Sequence, residues 1–81
     1  MALREELLNF VEVSLLRGEQ KINPQDSLVE RGIIDSLGLM QLMTFIEDTA
    51  RVKIPDHLVT PENFESVEAM EHLVNRLADR R

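Results

Sequence analysis

Three segments of the chain repeat apolar residues at intervals of three and four positions, and no segment alternates apolar with polar residues. The first spacing is typical of one face of an α-helix, whereas alternation would indicate a β-strand. A length of 81 residues suits one small domain, so we treat residues 1–81 as a single unit. The fold class that follows is all-α.

The first segment, residues 2–17, is predicted to be an amphipathic helix that ends at Gly18. Its apolar face contains Leu3, Leu7, Leu8, Val11, Leu15 and Leu16. Glycine directly after the last apolar position is a common helix stop. Residues 18–35 are rich in Gly, Pro, Asn and Asp-Ser, which indicates a long loop. We expect its few apolar residues to hold it against the core, with one helical turn near residues 26–28.

The second helix is predicted from Ser36 to Ala50 and has two different apolar faces. One face, which we assign to the core, contains Leu39, Leu42, Met43, Ile46 and Ala50. The other carries Leu37, Met40 and Thr44, although a solvated helix would place charged residues there. This second face therefore indicates a surface that contacts another molecule.

The last third of the chain contains one helix break and two helix starts. Pro55 disfavours helix at the residue before it. Thr60 followed by Pro61 is typical of an N-cap and a first helical position, which predicts a short helix that ends by Phe64 or Glu65.

Ser66 then caps a final helix, and the basic pair Arg80-Arg81 suits the C-terminal end of that helix. Its buried side contains Val67, Met70, Leu73, Val74 and Leu77. The whole pattern predicts a small four-helix bundle with three long helices, one short helix and a long first loop.

The charge balance limits the classes of partner. The net charge is −6, which argues against binding of DNA or RNA because phosphates would be repelled. Basic patches on other proteins are the natural partners of such a surface, although the acidity could serve solubility alone. Cysteine is absent, which fits a reducing compartment. Charges at residues 4–6 interrupt the apolar run that a signal peptide needs, and no apolar stretch is long enough to span a membrane. We expect a cytoplasmic monomer.

Few residues of the sequence fit the pattern of a conventional active site. The two histidines are too few for a convincing metal cluster, and Glu68 and His72, four apart on one helix, more often make a surface contact. Ser36 lacks the G-x-S-x-G context of a hydrolase nucleophile, and no histidine is placed by sequence to activate it. We therefore predict no catalytic residue and no metal ligand, and we do not expect an enzyme.

The segment "GIIDSLGLMQ", residues 32–41, allows two interpretations of Asp35 and Ser36. Both residues are good N-caps, so the pair could simply begin the helix. Alternatively, Ser36 is a point of modification, because the amides of a helix N-terminus stabilise a phosphate. Gly38, which weakens the helix by about 1 kcal/mol relative to alanine, would then leave room for the attached group or a partner.

The segment "GIIDSLGLMQLMTFIED" resembles the attachment region of the acyl carrier protein family, whose motif is Asp-Ser-Leu at the start of the second helix. The segments "DSLVERGI", "VKIP" and "TPENFESVEAM" also follow the order and spacing of that family. The resemblance implies that Ser36 carries 4′-phosphopantetheine. A magnesium-dependent phosphopantetheinyl transferase would add this group from coenzyme A, and Asp35 would help the transferase to recognise the site. The thiol of this arm would hold an acyl or aminoacyl group as a thioester.

The same resemblance implies that Leu37, Met40 and Thr44 dock partner enzymes, with Ile54 at the far edge of the docking surface. Those partners would be an acyl- or amino-acid-activating ligase and acyl-transferring enzymes of a biosynthetic pathway that makes a secondary metabolite, an aminoacyl product or a lipid. The alternative is a helical adaptor that binds a protein through Leu37 and Met40 and has no prosthetic group.

The chain departs from the carriers of bacterial fatty-acid synthesis, which resemble each other in a strongly acidic second helix. Residues 36–46 contain no charge, and the acidic residues are concentrated in residues 56–71. We therefore expect docking to depend on apolar contact more than on electrostatic steering. Gly38 and "TPENFESV" are closer to free-standing peptidyl, aminoacyl or D-alanyl carriers.

Overall fold

The computed structural model describes residues 2–79 and is entirely helical and irregular, with no strand in that range. Its elements are α1 (Leu3–Phe10), a π-helical segment (Val11–Leu15), α2 (Ser36–Ala50), a 3₁₀ turn (Asp56–Leu58) and α3 (Val67–Asp79). The all-α class and the three long helices are thus confirmed. Met1, Arg80 and Arg81 lie outside the described residues, so the basic pair predicted beyond the last helix falls there too.

The first predicted helix is continuous, but its second half is wound as a π-helix. The amide of Leu16 donates to the carbonyl of Val11, five residues earlier, at 2.9 Å. The helix then ends where Arg17 and Gly18 both take positive φ angles, 57° and 75°. The amide of Gly18 reaches back to the carbonyl of Glu12 at 2.7 Å, so the glycine stop is confirmed.

The core lies where α1 packs against α3 and α2. Its fully buried side chains come from every part of the chain and include Leu7, Val11, Leu28, Leu42, Ile46, Val67, Met70 and Leu73. The stripe predicted on α2 faces this core, with Leu42 and Ile46 fully buried and Leu39, Met43 and Ala50 packed at its margin. Arg4 of α1 and Glu71 of α3 form an ion pair of 2.7 Å at the surface, which links the first turn of α1 to the second turn of α3.

The long loop is held against the core, as its apolar residues predict. Ile22 and Leu28 are buried, and the amide of Ile22 donates to the carboxylate of Glu12 at 3.0 Å. Farther along, the amide of Leu28 donates to the carbonyl of Glu65 at 2.7 Å. The loop is therefore connected to the segment just before α3, and this connection positions the entry to α2.

The prediction of a short helix after Thr60 is wrong, and the four-helix count is therefore not confirmed. Residues 61–64 form only a turn, in which the amide of Phe64 donates to the carbonyl of Thr60 at 3.3 Å. Thr60 does cap this turn, because its hydroxyl accepts the amide of Asn63 at 3.3 Å. The chain has little room for a longer helix here, because the carbonyl of Glu65 accepts the amide of Leu28 and α3 begins at Val67.

Candidate attachment and docking site

Ser36 is the first residue of α2 and its side chain is exposed. Asp35 precedes it as the N-cap in an extended conformation, and Oδ1 of Asp35 accepts the amide of Gly38 at 2.7 Å. The amides of Ser36 and Leu37 come before this bond and point out of the open end of the helix, as first-turn amides do. A hydroxyl thus lies exposed beside a helix N-terminus that favours a phosphate.

Gly38 is buried, and the reason for a glycine at this position is internal. A Cβ added there would lie 3.1 Å from Oδ1 of Asp35, 3.6 Å from Cδ2 of Leu15 and 3.9 Å from the carbonyl oxygen of Ile33. The space is thus occupied by the capping carboxylate, the first helix and the loop. The expectation that Gly38 leaves room for an attached group or a partner is corrected, since the missing side chain would point into the protein.

A cavity of about 330 Å³ opens directly beside Ser36. Its walls come from three parts of the chain, namely the loop, the start of α2 and the turn before α3. Most of the lining is apolar and includes Val29, Ile34, Leu39, Val59, Pro61 and Phe64. Ser36 is exposed and belongs to the lining of this mostly apolar cavity, so a flexible chain attached to its hydroxyl could enter it.

The predicted docking residues differ in their exposure. The side chains of Leu37 and Met40 are both 65% exposed, which confirms that they lie off the core face of α2. Thr44, one turn after Met40, is also exposed. Ile54 is only 4% exposed and belongs to the core, so it does not present its side chain to a partner and is removed from the docking surface.

A second cavity, an open groove of about 510 Å³, lies between α1 and α2. The stacked rings of Phe10 and Phe45, whose centroids are 4.4 Å apart, form part of its lining. Met40 and Thr44 belong to this lining as well, so the second face of α2 extends into the groove. We refer to it below as the α1–α2 groove.

Other candidate chemistry has structural roles in the described part of the chain. The carboxylate of Glu68 accepts the amide group of Gln25 at 2.9 Å and lies 3.9 Å from Arg4, so it takes part in a surface network between α1, the loop and α3. Residues 2–79 contain no group of three or more His, Cys, Asp or Glu side chains suited to a metal ion. None of their helices is long and apolar enough to cross a membrane.

Sequence reasoning identified the residues on α2 but missed both cavities. The walls of the first come from residues as far apart as Val29 and Phe64, and no local pattern relates these two positions. The groove could have been anticipated in part, because Phe10 and Phe45 are each large apolar residues outside the predicted core faces. The pairing of the two rings depends on how α1 and α2 pack.

The chain is similar in sequence to known carrier proteins. No family model matches the chain. The chain is 33% identical over 76 residues to the probable acyl carrier protein PigG of Serratia sp.. The aligned region covers 93% of this chain and 87% of the relative. It is also 38% identical over 53 residues to aminoacyl carrier protein 2 of Bradyrhizobium diazoefficiens, across 65% of this chain and 58% of the relative.

Two solved structures share the fold. A chain in the crystal structure of an FAD-dependent dehydrogenase is 37% identical and superposes with a TM-score of 0.79, covering 85% of this chain and 99% of that one. A chain in the structure of Bradyrhizobium japonicum glycine:[carrier protein] ligase complexed with glycylated carrier protein is 31% identical with a TM-score of 0.67, covering 89% and 99%. With its Asp-Ser-Leu at the start of α2 and its similarity to PigG over nearly the whole length, the chain belongs to the acyl carrier protein family.

Proposed function

We propose that this chain carries an acyl or aminoacyl group on a 4′-phosphopantetheine arm attached to the hydroxyl of Ser36. The observation that carries the proposal is the exposed Ser36 at the first position of α2, directly after the N-cap Asp35, in a member of the carrier family. Carriers act as partners of enzymes, and we infer no catalytic residue in this chain.

The residues around Ser36 fit such a group. The amides of Ser36 and Leu37 would bind the phosphate oxygens, and the positive end of the α2 dipole would favour the charge of the phosphodiester. Asp35 keeps its carboxylate on the amide of Gly38, which holds the helix start rigid while the hydroxyl remains accessible. The bound arm supplies a thiol, which holds the cargo as a thioester.

The apolar cavity beside Ser36 has room for part of the arm. Its lining by Val29, Leu39, Val59 and Phe64 would favour the methyl and methylene groups of the arm over water. Among the fully buried core side chains, Phe64 lines this cavity, whereas Leu42, Ile46 and Leu73 do not. A short cargo on the arm therefore suits this protein better than a long fatty acyl chain that must enter the core.

We infer that the cargo is an amino acid and that an amino-acid-activating ligase loads it. This inference is supported by similarity to aminoacyl carrier proteins and to a chain in a complex of a glycine:carrier ligase with its glycylated carrier. The uncharged first three turns of α2 also separate this chain from carriers with a strongly acidic second helix. An FAD-dependent dehydrogenase is a second partner class to test, because a similar chain occurs in the structure of one.

The attachment is tested by incubating the protein with coenzyme A, magnesium and a broad-specificity phosphopantetheinyl transferase, followed by intact-mass measurement. We expect one phosphopantetheine on the wild-type protein and none on Ser36→Ala. An unmodified wild-type protein, or equal modification of Ser36→Ala, would reject the assignment. Two results together would favour the adaptor alternative instead. The protein isolated from its own cells would have no prosthetic group, and Ser36→Ala would bind its partner as well as the wild type does.

The cargo class is tested on the modified protein with an amino-acid:carrier ligase, ATP and a panel of amino acids, again by intact mass. Octanoate with a fatty-acyl ligase serves as the competing cargo. Thioester formation with amino acids and not with octanoate is the expected result. Preferential loading of octanoate would contradict the aminoacyl assignment and leave the carrier assignment intact.

A further inference from the structure

The α1–α2 groove is separate from the cavity beside Ser36, and none of its lining residues belongs to that cavity. Phe10 and Phe45 are only partly buried although they stack on each other, so an apolar surface remains accessible in the groove. Because the two rings already contact each other, the apolar lining is formed before any partner binds, which lowers the ordering cost of an association.

The helices that form the groove run in opposite directions. Leu15, near the end of the first helix, approaches Gly38 at the start of α2, whereas Phe10 stacks on Phe45 about two turns farther along α2. Met40 therefore lies at the end of the groove nearer Ser36, and Asp48 lies at the opposite end. The nine residues from Met40 to Asp48 span about 12 Å, which is just over two helical turns.

The groove has one charged residue among its lining, and that residue is Asp48. The rest of the lining combines the two aromatic rings and Met40 with neutral polar groups such as those of Ser14 and Thr44. An acidic end and an uncharged middle are complementary to an apolar segment that has a basic residue at one end. Amphipathic helices bind grooves of this kind through apolar side chains spaced three or four positions apart.

We propose that the α1–α2 groove docks an amphipathic helix of a partner enzyme, which inserts apolar side chains beside Phe10 and Phe45 and presents a lysine or arginine to Asp48. The proposal rests on the proposed function for the class of partner. Met40 belongs to this groove and is also 65% exposed on the same helix as Ser36. An enzyme that reaches Ser36 across Leu37 and Met40 can therefore continue into the groove without a break in its contact surface.

Other occupants fit the groove less well. A second copy of this chain would bring another net charge of −6, so acidic surfaces would face each other. An anionic lipid surface would be repelled by the same charge. A small molecule would remain exposed along the length of an open groove, whereas small-molecule sites bury most of their ligand.

The proposal is tested with a synthetic helical peptide that carries leucines at two positions four apart and a lysine one turn beyond them. Binding to the uniformly ¹⁵N-labelled protein is followed by amide chemical shifts. We expect saturable shifts centred on Phe10, Ser14, Thr44 and Phe45. Shifts centred on Val29 and Val59, or no saturable shift at the highest peptide concentration, would overturn the proposal.

Three protein variants and one altered peptide sharpen this test. Ser14→Arg fills the groove from an exposed position and should weaken binding at least about tenfold, because the new side chain occupies the site and its charge opposes the peptide lysine. Asn75→Arg, an exposed position on α3, adds the same charge and should bind like the wild type. Equal effects of the two arginines, or no effect of Ser14→Arg in a folded protein, would reject the groove as the site.

The role of Asp48 is tested separately. Asp48→Asn should weaken binding about two- to fivefold, the range expected for an exposed charge pair, and should reduce its dependence on salt. A peptide with glutamate in place of lysine should lose affinity for the wild-type protein and regain part of it with Asp48→Asn. Unchanged affinity in both exchanges would refute the assigned orientation of the partner helix.

The outcome is independent of the attachment experiment. Ser36→Ala retains the groove and should bind the peptide as well as the wild type does. Peptide binding without any phosphopantetheine adduct would reject the proposed carrier function and keep the groove. An adduct on Ser36 without peptide binding would reject only the groove.

Discussion

Replacing Gly38 with alanine sets two effects at the start of α2 against each other. Alanine favours the helical conformation over glycine by up to about 1 kcal/mol. The added Cβ would, however, lie 3.1 Å from Oδ1 of Asp35, the atom that accepts the Gly38 amide at 2.7 Å. At that separation the carboxylate has to move by a few tenths of an ångström, which lengthens the capping hydrogen bond.

The expected magnitudes follow from the value of the cap. Loss of an N-cap side chain costs about 0.5–2 kcal/mol, so a strained cap offsets most of the gain in helix propensity. We expect Gly38→Ala alone to change the free energy of unfolding by less than about 0.5 kcal/mol. In an Asp35→Ala background the nearest neighbour of the new Cβ is Cδ2 of Leu15 at 3.6 Å, an ordinary contact. There the same substitution should stabilise the protein by about 1 kcal/mol.

The assay is a double-mutant cycle on the wild type, the two single variants and the double variant, all without the prosthetic group. Urea unfolding followed by circular dichroism gives the four free energies for a domain of this size. The cycle should return a coupling of about 0.5–1 kcal/mol between Asp35 and Gly38. Equal stabilisation by Gly38→Ala in both backgrounds would show that the cap does not require glycine. Equal destabilisation in both would instead assign the requirement to Leu15 and Ile33.

Four further substitutions test which side chains are buried in the core and which lie at the surface. Leu42→Ala and Ile46→Ala remove fully buried side chains and should each lower the free energy of unfolding by about 2–5 kcal/mol in the same urea assay. Met40 is 65% exposed, so Met40→Ala should change the free energy of unfolding by less than about 0.5 kcal/mol. The same variant should still weaken partner binding, measured by calorimetry. An unfolded Met40→Ala protein would contradict the assigned faces of α2. Arg4→Met should cost less than about 1 kcal/mol, because its pair with Glu71 is partly exposed, and the difference should shrink in high salt.

The apolar spacing was sufficient to predict the long helices and their buried faces. Leu7, Val11, Leu42, Ile46, Met70 and Leu73 were all placed on core faces and are all fully buried. The reason is that amphipathic helices in a small domain have few other ways to bury an apolar stripe. The exposure of Leu37 and Met40 followed from the same spacing, since neither residue fits the core stripe of α2.

Features set by contacts between distant segments were not predictable in this way. The turn after Thr60 has a helix-start pattern, but the carbonyl of Glu65 is bonded to Leu28 in a loop more than thirty residues earlier. The sequence also favours the interpretation that Gly38 leaves room for a partner, because it does not reveal that Leu15 and Asp35 lie against this residue. The π-helical segment is a similar case, since no residue in Val11–Leu15 breaks the α-helical pattern.

The absence of charge from residues 36–46 has different reasons on the buried and on the exposed faces of α2. Leu42 and Ile46 face the core, Leu39 faces the cavity beside Ser36, and Met40 faces the α1–α2 groove. A charged side chain on the core face or at the cavity would be desolvated, which costs free energy unless the charge is paired. Met40 is 65% exposed, so desolvation does not account for its lack of charge, and an apolar side chain there suits contact with a partner. The first charges appear at Glu47, whose carboxylate accepts the amide of Ile54 at 2.9 Å, and at Asp48, which lies at the far end of the groove. Electrostatic selection of partners by α2 would therefore act at the distal end of the groove, about 18 Å along the helix from Ser36, while apolar contact dominates next to the attachment point.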